Sequence, residues 1–396
     1  MINIALLGHG VVGTGVVNVI ENKKEQLKAV TGQDVNVKYV LVRHDYDVDY
    51  KEKFVMDFET IVKDSEVDIV VEAIGGTDPA YRYVKESLLA GKSVVTSNKE
   101  LVAKHGFELM NIAKEKNINF IFEAAVGGAI PVIHGVRNCL KANTVDSVAG
   151  ILNGTTNYIL TKMIEEKQSF DVALRAAQEL GYAEADPSAD VDGIDTCRKI
   201  CILADMIYGN HILPEKVYTE GIRNVRIEDV DILKTAGGYI KLLGVAKRTG
   251  DNRVYIITAP HVVFNNGILF AATDVFNAVQ LETDNAGTMA FYGRGAGSLP
   301  TASAVVNDIV ECITADGTAY PVWGPENDMA VADYKSVPVK FYVNVAESGE
   351  EVKKAFAAAE IIPAEGCTAF ITEEMTENQL ESILKDFTVN SVIRVL

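Results

Sequence analysis

The sequence predicts an α/β protein with three parts: a parallel, doubly wound sheet, an α+β second domain, and a small α+β unit at the C-terminal end. A glycine-rich turn, GHGVVG at 8–13, directly follows an apolar run at 2–7 and precedes a helical pattern. Strand-like apolar runs then alternate with helical patterns as far as residue 124, which is typical of a parallel sheet. Residues 337–396 show the order β-α-β-β-α-β.

The composition is that of a globular protein whose expected partners are small molecules. The 396 residues, of which 48% are hydrophobic and 23% charged, suffice for two or three domains. A net charge of −18 disfavours nucleic acid and anionic membranes as partners. No apolar run approaches the ~20 residues of a membrane span. The chain opens on a strand-like run rather than a secretory signal, and its five cysteines are scattered, so we expect a cytoplasmic protein with reduced thiols.

The turn at 8–13 is the dinucleotide fingerprint GxGxxG between a strand and a helix, and it predicts a Rossmann-type domain. Its glycines let the backbone approach a pyrophosphate at the helix N-terminus. The next strand, 35–42, ends at Arg43, whose guanidinium favours the 2′-phosphate of NADP. Asp45 and Asp47 follow closely, so NAD stays open as the alternative. The predicted cofactor-binding residues of the turn are Gly8, His9, Gly10, Val11, Val12 and Gly13.

Ligands of a doubly wound sheet bind at the C-terminal ends of its strands, where Thr77, Lys99 and Glu123 stand in this sequence. We expect Lys99 to contact a cofactor phosphate or a substrate carboxylate rather than to be an ordinary surface lysine. The bent stretch EAAVGGAIP at 123–131 either aims carbonyls at a monovalent cation or is a plain domain crossover. The strands of this part of the sheet are predicted at 67–73, 93–96 and 119–124, and the helices between them at 80–90 and 101–116.

Beyond about residue 135 the pattern changes to that of an α+β domain. A glycine-rich start at 293–301 opens a helix to about residue 313, which either returns the chain to the first domain or forms a hinge. Strands of the second domain are predicted at 146–152, 254–263, 268–272 and 278–282, and helices from 153 and at 170–180. The predicted domains are a dinucleotide-binding domain at 1–134 with a return at about 297–318, a substrate-binding and dimerisation domain at 135–296, and a third domain at 337–396.

The stretch GYAEADPSADVDGIDTCRK at 181–199 concentrates five carboxylates at the start of a helix. On that helix Asp195 and Lys199 are four residues apart and therefore share one face. Such a pair is often an ordinary surface ion pair. Here the helix is otherwise apolar, and burying an unused charge pair is costly, so we expect the pair to face a polar cavity.

A set of motifs in one order across about residues 1–315 closely resembles homoserine dehydrogenases. The motifs are LGHGVVGTGV, SNKE, EAAVGGAIP, ILNGTTNYIL, GYAEADPSADVDGIDTCRK, IKLLGVA and GRGAGSLPTASA. The resemblance implies reversible NAD(P)H-dependent reduction of L-aspartate 4-semialdehyde to L-homoserine, on the way to threonine, methionine and isoleucine. The residues suit this chemistry, because a lysine ammonium can stabilise and protonate the oxygen that becomes negative when hydride reaches an aldehyde.

The resemblance also implies roles for single residues, with Lys199 as the proton-transferring group. The implied catalytic and substrate-binding residues are Lys199, Asp195, Lys99, Glu184 and Asp190. The implied ligands of a structural Na⁺ or K⁺ are Glu123 and the backbone carbonyls of Val126, Gly128 and Ile130. The implied positions on the cofactor side are Gly181, Gly295 and Gly297.

The tail at 337–396 is predicted to be ferredoxin-like and regulatory rather than catalytic, and it resembles an ACT domain, an amino-acid-sensing module. Its turn AESG at 346–349 keeps the glycine of the ACT ligand turn but lacks the Asp and the Pro. We therefore expect the tail to support assembly into a homodimer or homotetramer, and threonine to have little effect. Because both core sheets are predicted to be complete before Trp323, the core should fold without the tail.

Two other classes of protein share parts of this pattern. A semialdehyde dehydrogenase would need a nucleophilic cysteine at a strand end, and none of the five cysteines stands in such a place. A non-catalytic nucleotide sensor would have no use for the Asp195 and Lys199 pair. The sequence therefore favours the dehydrogenase.

Overall fold

The structure is a computed structural model that describes residues 1–44, 46–264, 267–315, 323–327 and 330–396. Its strands are β1 (Ile2–Leu7), β2 (Val35–Leu41), β3 (Phe54–Val55), β4 (Ile69–Glu72), β5 (Ser93–Thr96), β6 (Phe120–Ile121), β7 (Val145–Ile151), β8 (Asn210–His211), β9 (Tyr218–Thr219), β10 (Gly238–Arg248), β11 (Val254–Phe264), β12 (Phe276–Thr283), β13 (Gly287–Arg294), β14 (Gly324–Glu326), β15 (Lys340–Val345), β16 (Glu360–Ile362), β17 (Thr368–Ile371) and β18 (Val389–Val395). Its helices are α1 (Val11–Asn22), α2 (Lys24–Thr31), α3 (Phe58–Val62), α4 (Ala80–Leu89), α5 (Lys99–Lys116), α6 (Val132–His134), α7 (Gly154–Glu166), α8 (Phe170–Glu179), α9 (Ser188–Val191), α10 (Ile194–Tyr208), α11 (Ile227–Thr235), α12 (Ile268–Ala271), α13 (Ser298–Thr314), α14 (Gly349–Ala355) and α15 (Glu377–Leu384).

The chain forms two compact units, each built from three segments. The first unit consists of the described residues of Met1–Ala142, Cys201–Pro214 and Gly293–Glu326. The second consists of the described residues of Asn143–Ile200, Glu215–Tyr292 and Asn327–Leu396. The division into domains at 1–134, 135–296 and 337–396 stays a prediction. In the described part of the chain, no helix is long and apolar enough to cross a membrane.

A six-stranded sheet with the order β3-β2-β1-β4-β5-β6 organises the first unit, and all of its neighbouring strands run parallel. This is the strand order of a doubly wound dinucleotide-binding sheet, so the predicted Rossmann-type fold is confirmed. Strand β1 lies at the centre of the sheet, and its residues from Ile4 to Leu7 are fully buried because it has a strand on either side. That burial explains why the sequence opens on an uninterrupted apolar run.

A larger sheet organises the second unit, with the order β13-β12-β7-β10-β11-β18-β15-β17-β16 and with β9 beside β11. Strands β10 and β11 pair antiparallel along their whole length, from Gly238 opposite Phe264 to Arg248 opposite Val254. Helices α7, α8 and α11 share one hydrophobic core with this sheet. The predicted α+β class of this part of the chain is thereby confirmed.

The tail has the predicted order β15-α14-β16-β17-α15-β18, and its four strands are antiparallel in the order β18-β15-β17-β16. Both tail helices begin with a capping box, which pairs Ser348 with Glu351 and Thr376 with Gln379. Strand β18 also pairs in parallel with β11. The prediction that the core sheets are complete before Trp323 is therefore wrong, because the sheet of the second unit continues into the tail.

Several stretches of the second unit differ from the sequence prediction, and strand β10 and helix α11 were not predicted. The run at 268–272 forms helix α12 rather than a strand, since an apolar run of this length fits either structure and only Leu269 and Ala272 are buried. Strand β13 was not predicted, because its residues lie mostly at the surface and its side chains do not form a continuous apolar face.

Candidate active site

The turn at Gly8–Gly13 has the close backbone packing that a dinucleotide-binding turn requires. Gly8 has φ of +104°, a conformation that residues with a Cβ rarely adopt. A Cβ on Gly13 would lie 2.2 Å from the carbonyl oxygen of Gly8, so only glycine fits there. Val11 and Val12 form the first turn of α1, and Val11 is exposed. The turn therefore presents the N-terminus of α1, as the fingerprint predicts.

A cavity of about 510 Å³ opens beside this turn in the first unit. Arg43 lies in its wall together with Gly8, His9 and Gly10, so the structure brings the predicted arginine and the glycine-rich turn together. Arg43 and Asp47 are exposed, whereas Asp45 lies outside the described residues. The rest of the cavity wall consists of Leu41, Val42, His44, Tyr46, Met56, Ala73, Ile74, Pro79 and Tyr83.

Aromatic side chains surround His9, and the sequence analysis missed them. The Nε2 atom of His9 lies 2.8 Å from the hydroxyl of Tyr50. The rings of Tyr46 and Phe54 lie 4.7 and 5.2 Å from the His9 ring, centroid to centroid. Burial lowers the pKa of His9, which favours the neutral imidazole. His9 is thereby fixed as a wall of the cavity, which a motif search does not show.

Lys99 occupies the first position of α5, and a buried network fixes the backbone before it. Glu72 is fully buried and accepts hydrogen bonds from the backbone N–H groups of Ile74 and Gly75 and from the Thr96 hydroxyl. Asn98 caps α5. The amide nitrogen of the Asn98 side chain also donates to the carbonyl of Gly76, at 2.6 Å. The network ties together the ends of β4 and β5, where Thr77 and Lys99 follow.

Glu123 is buried and is held by backbone groups. Its Oε1 and Oε2 atoms accept hydrogen bonds from the N–H groups of Ile133 and His134, at 2.9 and 2.6 Å. Its own N–H donates to Asp308 at 2.9 Å. Burial raises the pKa of Glu123 to about 7 and raises the pKa of Asp308 as well, where the nearby Glu123 adds to the effect. Two acids in such a place favour a bound proton or a bound cation.

The turn after Glu123 packs against the glycine-rich segment before α13. A Cβ on Gly128 would lie 2.4 Å from the carbonyl oxygen of Gly295, so the two backbones touch. Gly297 caps α13, and the next residue, Ser298, donates from its hydroxyl to the carbonyl of Val11 at 2.8 Å. Within the first unit, the structure therefore brings Gly295 and Gly297 to both the fingerprint turn and the stretch that contains Val126 and Ile130.

Lys199 and Asp195 form a buried network in the second unit with Asn153 and Asp190. The Nζ atom of Lys199 donates to Asp195 Oδ2 and to the carbonyl of Leu152, each at 2.7 Å. The side-chain nitrogen of Asn153 donates to Asp195 Oδ2 at 2.9 Å and to Asp190 Oδ1 at 2.6 Å. Lys199 is 9% exposed and Asp195 is 4% exposed, so this is not a solvated surface pair.

The ammonium group of Lys199 has a donor to spare. Of its three N–H bonds, two point at the Leu152 carbonyl and at Asp195 within the described residues. An ammonium held in this way can donate a hydrogen bond, and then a proton, to an oxygen atom placed beside it.

The other carboxylates of the acidic stretch have separate roles. Asp192 forms an ion pair with Arg223, with 2.5 Å between Asp192 Oδ1 and Arg223 Nε. Asp186 accepts hydrogen bonds from Ser188 in a local turn. Glu184 is exposed in the loop after α8, and Gly181 has the positive φ that ends this helix. Only two of the five predicted carboxylates therefore belong to the Lys199 network.

Comparison with known proteins identifies the family of this chain. A model of the homoserine dehydrogenase NAD-binding domain matches residues 8–123, and a homoserine dehydrogenase model matches residues 131–310. The homoserine dehydrogenase of Bacillus subtilis is 40% identical over 313 residues, which cover 78% of this chain and 72% of that protein. The chain belongs to the homoserine dehydrogenase family. It is an NAD(P)-dependent oxidoreductase of amino-acid biosynthesis.

Further homoserine dehydrogenases match this chain, two of them over 94% or more of its length. The Mycobacterium tuberculosis enzyme is 38% identical over 384 residues, which cover 94% of this chain and 86% of that protein. The Thiobacillus denitrificans structure has a TM-score of 0.92 at 33% identity and covers 100% of this chain and 98% of its own. A hyperthermophilic archaeal homoserine dehydrogenase in complex with NADPH has a TM-score of 0.66 at 29% identity, over 78% of this chain and 97% of its own.

Within the homoserine dehydrogenase fold, Asn153 is the most informative site residue for which the sequence analysis gave no role. Asn153 stands in the motif ILNGTTNYIL and caps α7 through its side-chain oxygen, which accepts from the N–H of Thr156 at 2.8 Å. The signal was an N-cap residue directly before a helix. An N-cap role alone does not indicate that the side-chain nitrogen joins Asp190 to Asp195.

Proposed function

We propose that this chain catalyses the reversible NADPH-dependent reduction of L-aspartate 4-semialdehyde to L-homoserine, in the biosynthesis of threonine, methionine and isoleucine. One observation carries the proposal beyond family membership. The buried ammonium of Lys199 is held by Asp195 and the Leu152 carbonyl, and among the described residues no third acceptor takes its remaining donor, which is left for a substrate oxygen. An acid in this state is what reduction of an aldehyde to an alcohol requires.

Lys199 acts as the general acid in the reducing direction. Its third N–H donates to the carbonyl oxygen, stabilises the negative charge that develops there, and passes a proton to that oxygen. Asp195 then faces a neutral amine, which must recover a proton before the next turnover. In the oxidising direction the neutral amine accepts the proton of the alcohol.

Asp190, Asp195 and Glu184 are proposed to bind the substrate, whose α-ammonium group calls for carboxylates. Asp190 and Asp195 are already tied together by Asn153, so their spacing is fixed before a substrate arrives. Glu184 is exposed on its loop and would form an additional contact with the substrate when the substrate binds. Lys99 is proposed as the second active-site lysine, which contacts a carboxylate or a cofactor phosphate.

The first unit fits NADPH at the fingerprint turn. The N-terminus of α1 would hold the pyrophosphate, and Arg43 in the cavity wall would pair with the 2′-phosphate, which favours NADP over NAD. When bound, the nicotinamide supplies the hydride. The residues of the first unit proposed to hold the cofactor are Gly8, His9, Gly10, Val11, Val12, Gly13, Arg43, Thr77, Lys99, Gly295 and Gly297. The cofactor role of Gly181, in the second unit, stays a prediction.

The turn at 123–130 fits a monovalent cation, Na⁺ or K⁺. Glu123 offers a carboxylate whose pKa is raised to about 7 by burial. Gly127 and Gly128 follow it in the chain, and both have positive φ, so the backbone bends there. No cluster of three or more acidic, His or Cys side chains suited to a metal occurs among the described residues. Glu123 and the carbonyls of Val126, Gly128 and Ile130 would hold the cation.

The tail is proposed to be an ACT-like unit that supports assembly into a homodimer or homotetramer in the cytoplasm. Its ferredoxin-like strand order supports the ACT comparison. Of its two edge strands, β18 is already paired with β11 in the same chain, so β16 is the edge left for another copy.

Initial rates with aspartate semialdehyde test the proposal directly. The purified enzyme should reduce it with NADPH, should do so less efficiently with NADH, and should oxidise homoserine in the reverse assay. Absence of turnover with either cofactor in both directions would refute the proposed reaction. Equal kcat/KM for the two cofactors would refute only the preference for NADP.

A further inference from the structure

A short loop clamps the turn that leads into the catalytic helix. We call residues Tyr218–Ile222 the clamp loop. The N–H of Ile222 donates to the carbonyl of Val191 at 2.8 Å. A Cβ on Gly221 would lie 2.1 Å from that carbonyl oxygen and 2.5 Å from the Cα of Asp192, so the two backbones are in direct contact. Any displacement of the clamp loop must therefore displace the turn.

The clamped turn carries the residues that set the Lys199 network. Asp190 precedes Val191, and the carbonyl of Asp190 accepts from the N–H of Gly193 at 3.0 Å. The carbonyl of Gly193 in turn accepts from the N–H of Cys197 in the first turn of α10, at 2.9 Å. Asp195 lies in that first turn, and Lys199 lies one turn later. The clamp loop thus sets where Asp190 and the start of α10 stand.

The backbone of the clamp loop pairs with β11, through β9 and through the N–H of Glu220, which donates to the carbonyl of Thr258 at 2.8 Å. Arg394, from strand β18 of the tail, holds the side chains of the loop. The Nη1 atom of Arg394 lies 3.6 Å from Glu220 Oε2, which also accepts a hydrogen bond from the Tyr218 hydroxyl at 3.2 Å. The guanidinium lies over the Tyr218 ring, 5.2 Å from its centroid, and 5.8 Å from the centroid of Tyr334. These two rings stack on each other at 4.4 Å. The ion pair with Glu220 and the contact with the Tyr218 ring therefore both connect Arg394 to the clamp loop.

Arg394 is placed firmly enough to serve as an anchor. It is 7% exposed, and it forms a second ion pair with Glu377 at the start of α15. Its backbone belongs to the pairing of β18 with β11, where Arg394 lies opposite His261. A guanidinium with two carboxylates and two aromatic rings around it is well oriented, because its N–H groups pair with the carboxylates while its flat face packs on the rings.

We propose that Arg394 is a positioning residue for the dehydrogenase reaction: it acts through Glu220 and the clamp loop to hold Asp190 and the first turn of α10 in place. The tail thereby contributes to catalysis without touching the substrate. The inference rests on the proposed function of Lys199. Because catalytic geometry is sensitive to small displacements, loosening the clamp loop lowers kcat more than it affects cofactor binding.

Kinetics of Arg394 and Glu220 variants test the proposal. Arg394→Met keeps the aliphatic length and removes the guanidinium, and Glu220→Gln removes its charged partner. Each should lower kcat by about 2- to 30-fold and leave KM for NADPH unchanged. Arg394→Lys should recover part of the kcat, because the ammonium can still pair with Glu220. The control is Lys335→Met, which breaks the exposed tail pair of Lys335 with Glu381 and should keep the wild-type kcat.

The double variant Arg394→Met/Glu220→Gln decides whether the two residues act together. Its kcat should be close to that of the less active single variant, since both changes release the same loop. A kcat lowered by the product of the two single-variant factors would overturn the proposal. Wild-type kcat in a folded Arg394→Met, or no recovery with lysine, would also overturn it. If Arg394→Met does not fold, an unchanged kcat in Glu220→Gln is enough to refute it. A wild-type enzyme without turnover would instead refute the proposed function.

Discussion

Asn153 offers the sharpest test of the Lys199 network, because its small side chain both joins the two carboxylates of the network and caps α7. It is 5% exposed. Its oxygen caps α7 through the N–H of Thr156 at 2.8 Å, and its nitrogen joins Asp190 and Asp195 at 2.6 and 2.9 Å. Asn153→Ala removes these bonds without adding bulk, together with the bond that the Asn153 oxygen accepts from the Thr156 hydroxyl at 3.0 Å. The variant therefore separates what the network contributes to stability from what it contributes to catalysis.

The expected loss of stability follows from these contacts. Losing the cap costs about 1 kcal/mol of the free energy of unfolding. Losing a hydrogen bond to a charged acceptor costs about 1.5–3 kcal/mol where water cannot replace it. That condition holds at Asp195, which is 4% exposed, but not at the half-buried Asp190. Asn153→Ala should therefore lose about 2.5–4 kcal/mol. Its kcat should fall by about 10- to 100-fold, because the two carboxylates are no longer held together.

Urea unfolding followed by circular dichroism and initial-rate kinetics measure the two effects. Thr376→Ala is the matched control, since Thr376 caps α15 in the tail. It should lose about 1 kcal/mol and keep the wild-type kcat. Asn153→Asp keeps the cap but places a third carboxylate beside two others, so it should lose activity with less loss of α7 stability. An Asn153→Ala enzyme with the wild-type unfolding midpoint and the wild-type kcat would refute the reasoning.

Three further outcomes are expected. Lys199→Ala should lower kcat by ~10²–10⁴-fold with little change in KM for NADPH, and an enzyme that keeps most of its turnover would exclude Lys199 as the acid. Arg43→Ala should raise KM for NADPH and leave NADH nearly unchanged, whereas equal losses would make the arginine structural. Burial raises the pKa of Glu123 from 4.5 to about 7, so without a bound cation ionisation of Glu123 should reduce the free energy of unfolding as the pH rises from about 4.5 to above 7. The loss of unfolding free energy should be on the order of 3 kcal/mol and should be absent from Glu123→Gln. It should be smaller in the presence of K⁺ or Na⁺ than in the presence of a bulky organic cation. Identical melting curves in all salts would count against the cation site.

The fold could be predicted where the residue types of a segment are compatible with only one local structure. The glycines of the fingerprint turn stand where a Cβ would strike the backbone, so the turn could be read from residue types alone. The same holds for β1, whose apolar run matches a strand buried on both faces. The region around 268–272 has no such constraint, and there the prediction was wrong.

The site was predictable in part, because its contacts join residues that are distant in sequence. The four-residue spacing of Asp195 and Lys199 indicated their ion pair. Asp192 and Asp195 stand in the same acidic stretch, yet one pairs with Arg223 and the other with Lys199. Such a choice depends on which backbone packs nearby, and this information is not local. The parallel pairing of β18 with β11 escaped prediction for the same reason.

That pairing sets an order of events during synthesis. Val389–Val395 leaves the ribosome after every other described element of its unit, yet it inserts between β11 and β15 and completes the sheet. Until then β11 presents unpaired backbone groups on that side, and such an edge invites association with other chains. The late, non-local contact also makes closure of the sheet intrinsically slow. We expect this interval to be the time at which the nascent enzyme depends most on chaperones, so amino-acid substitutions in β18 should reduce the yield of soluble protein even where they spare the activity of the molecules that fold.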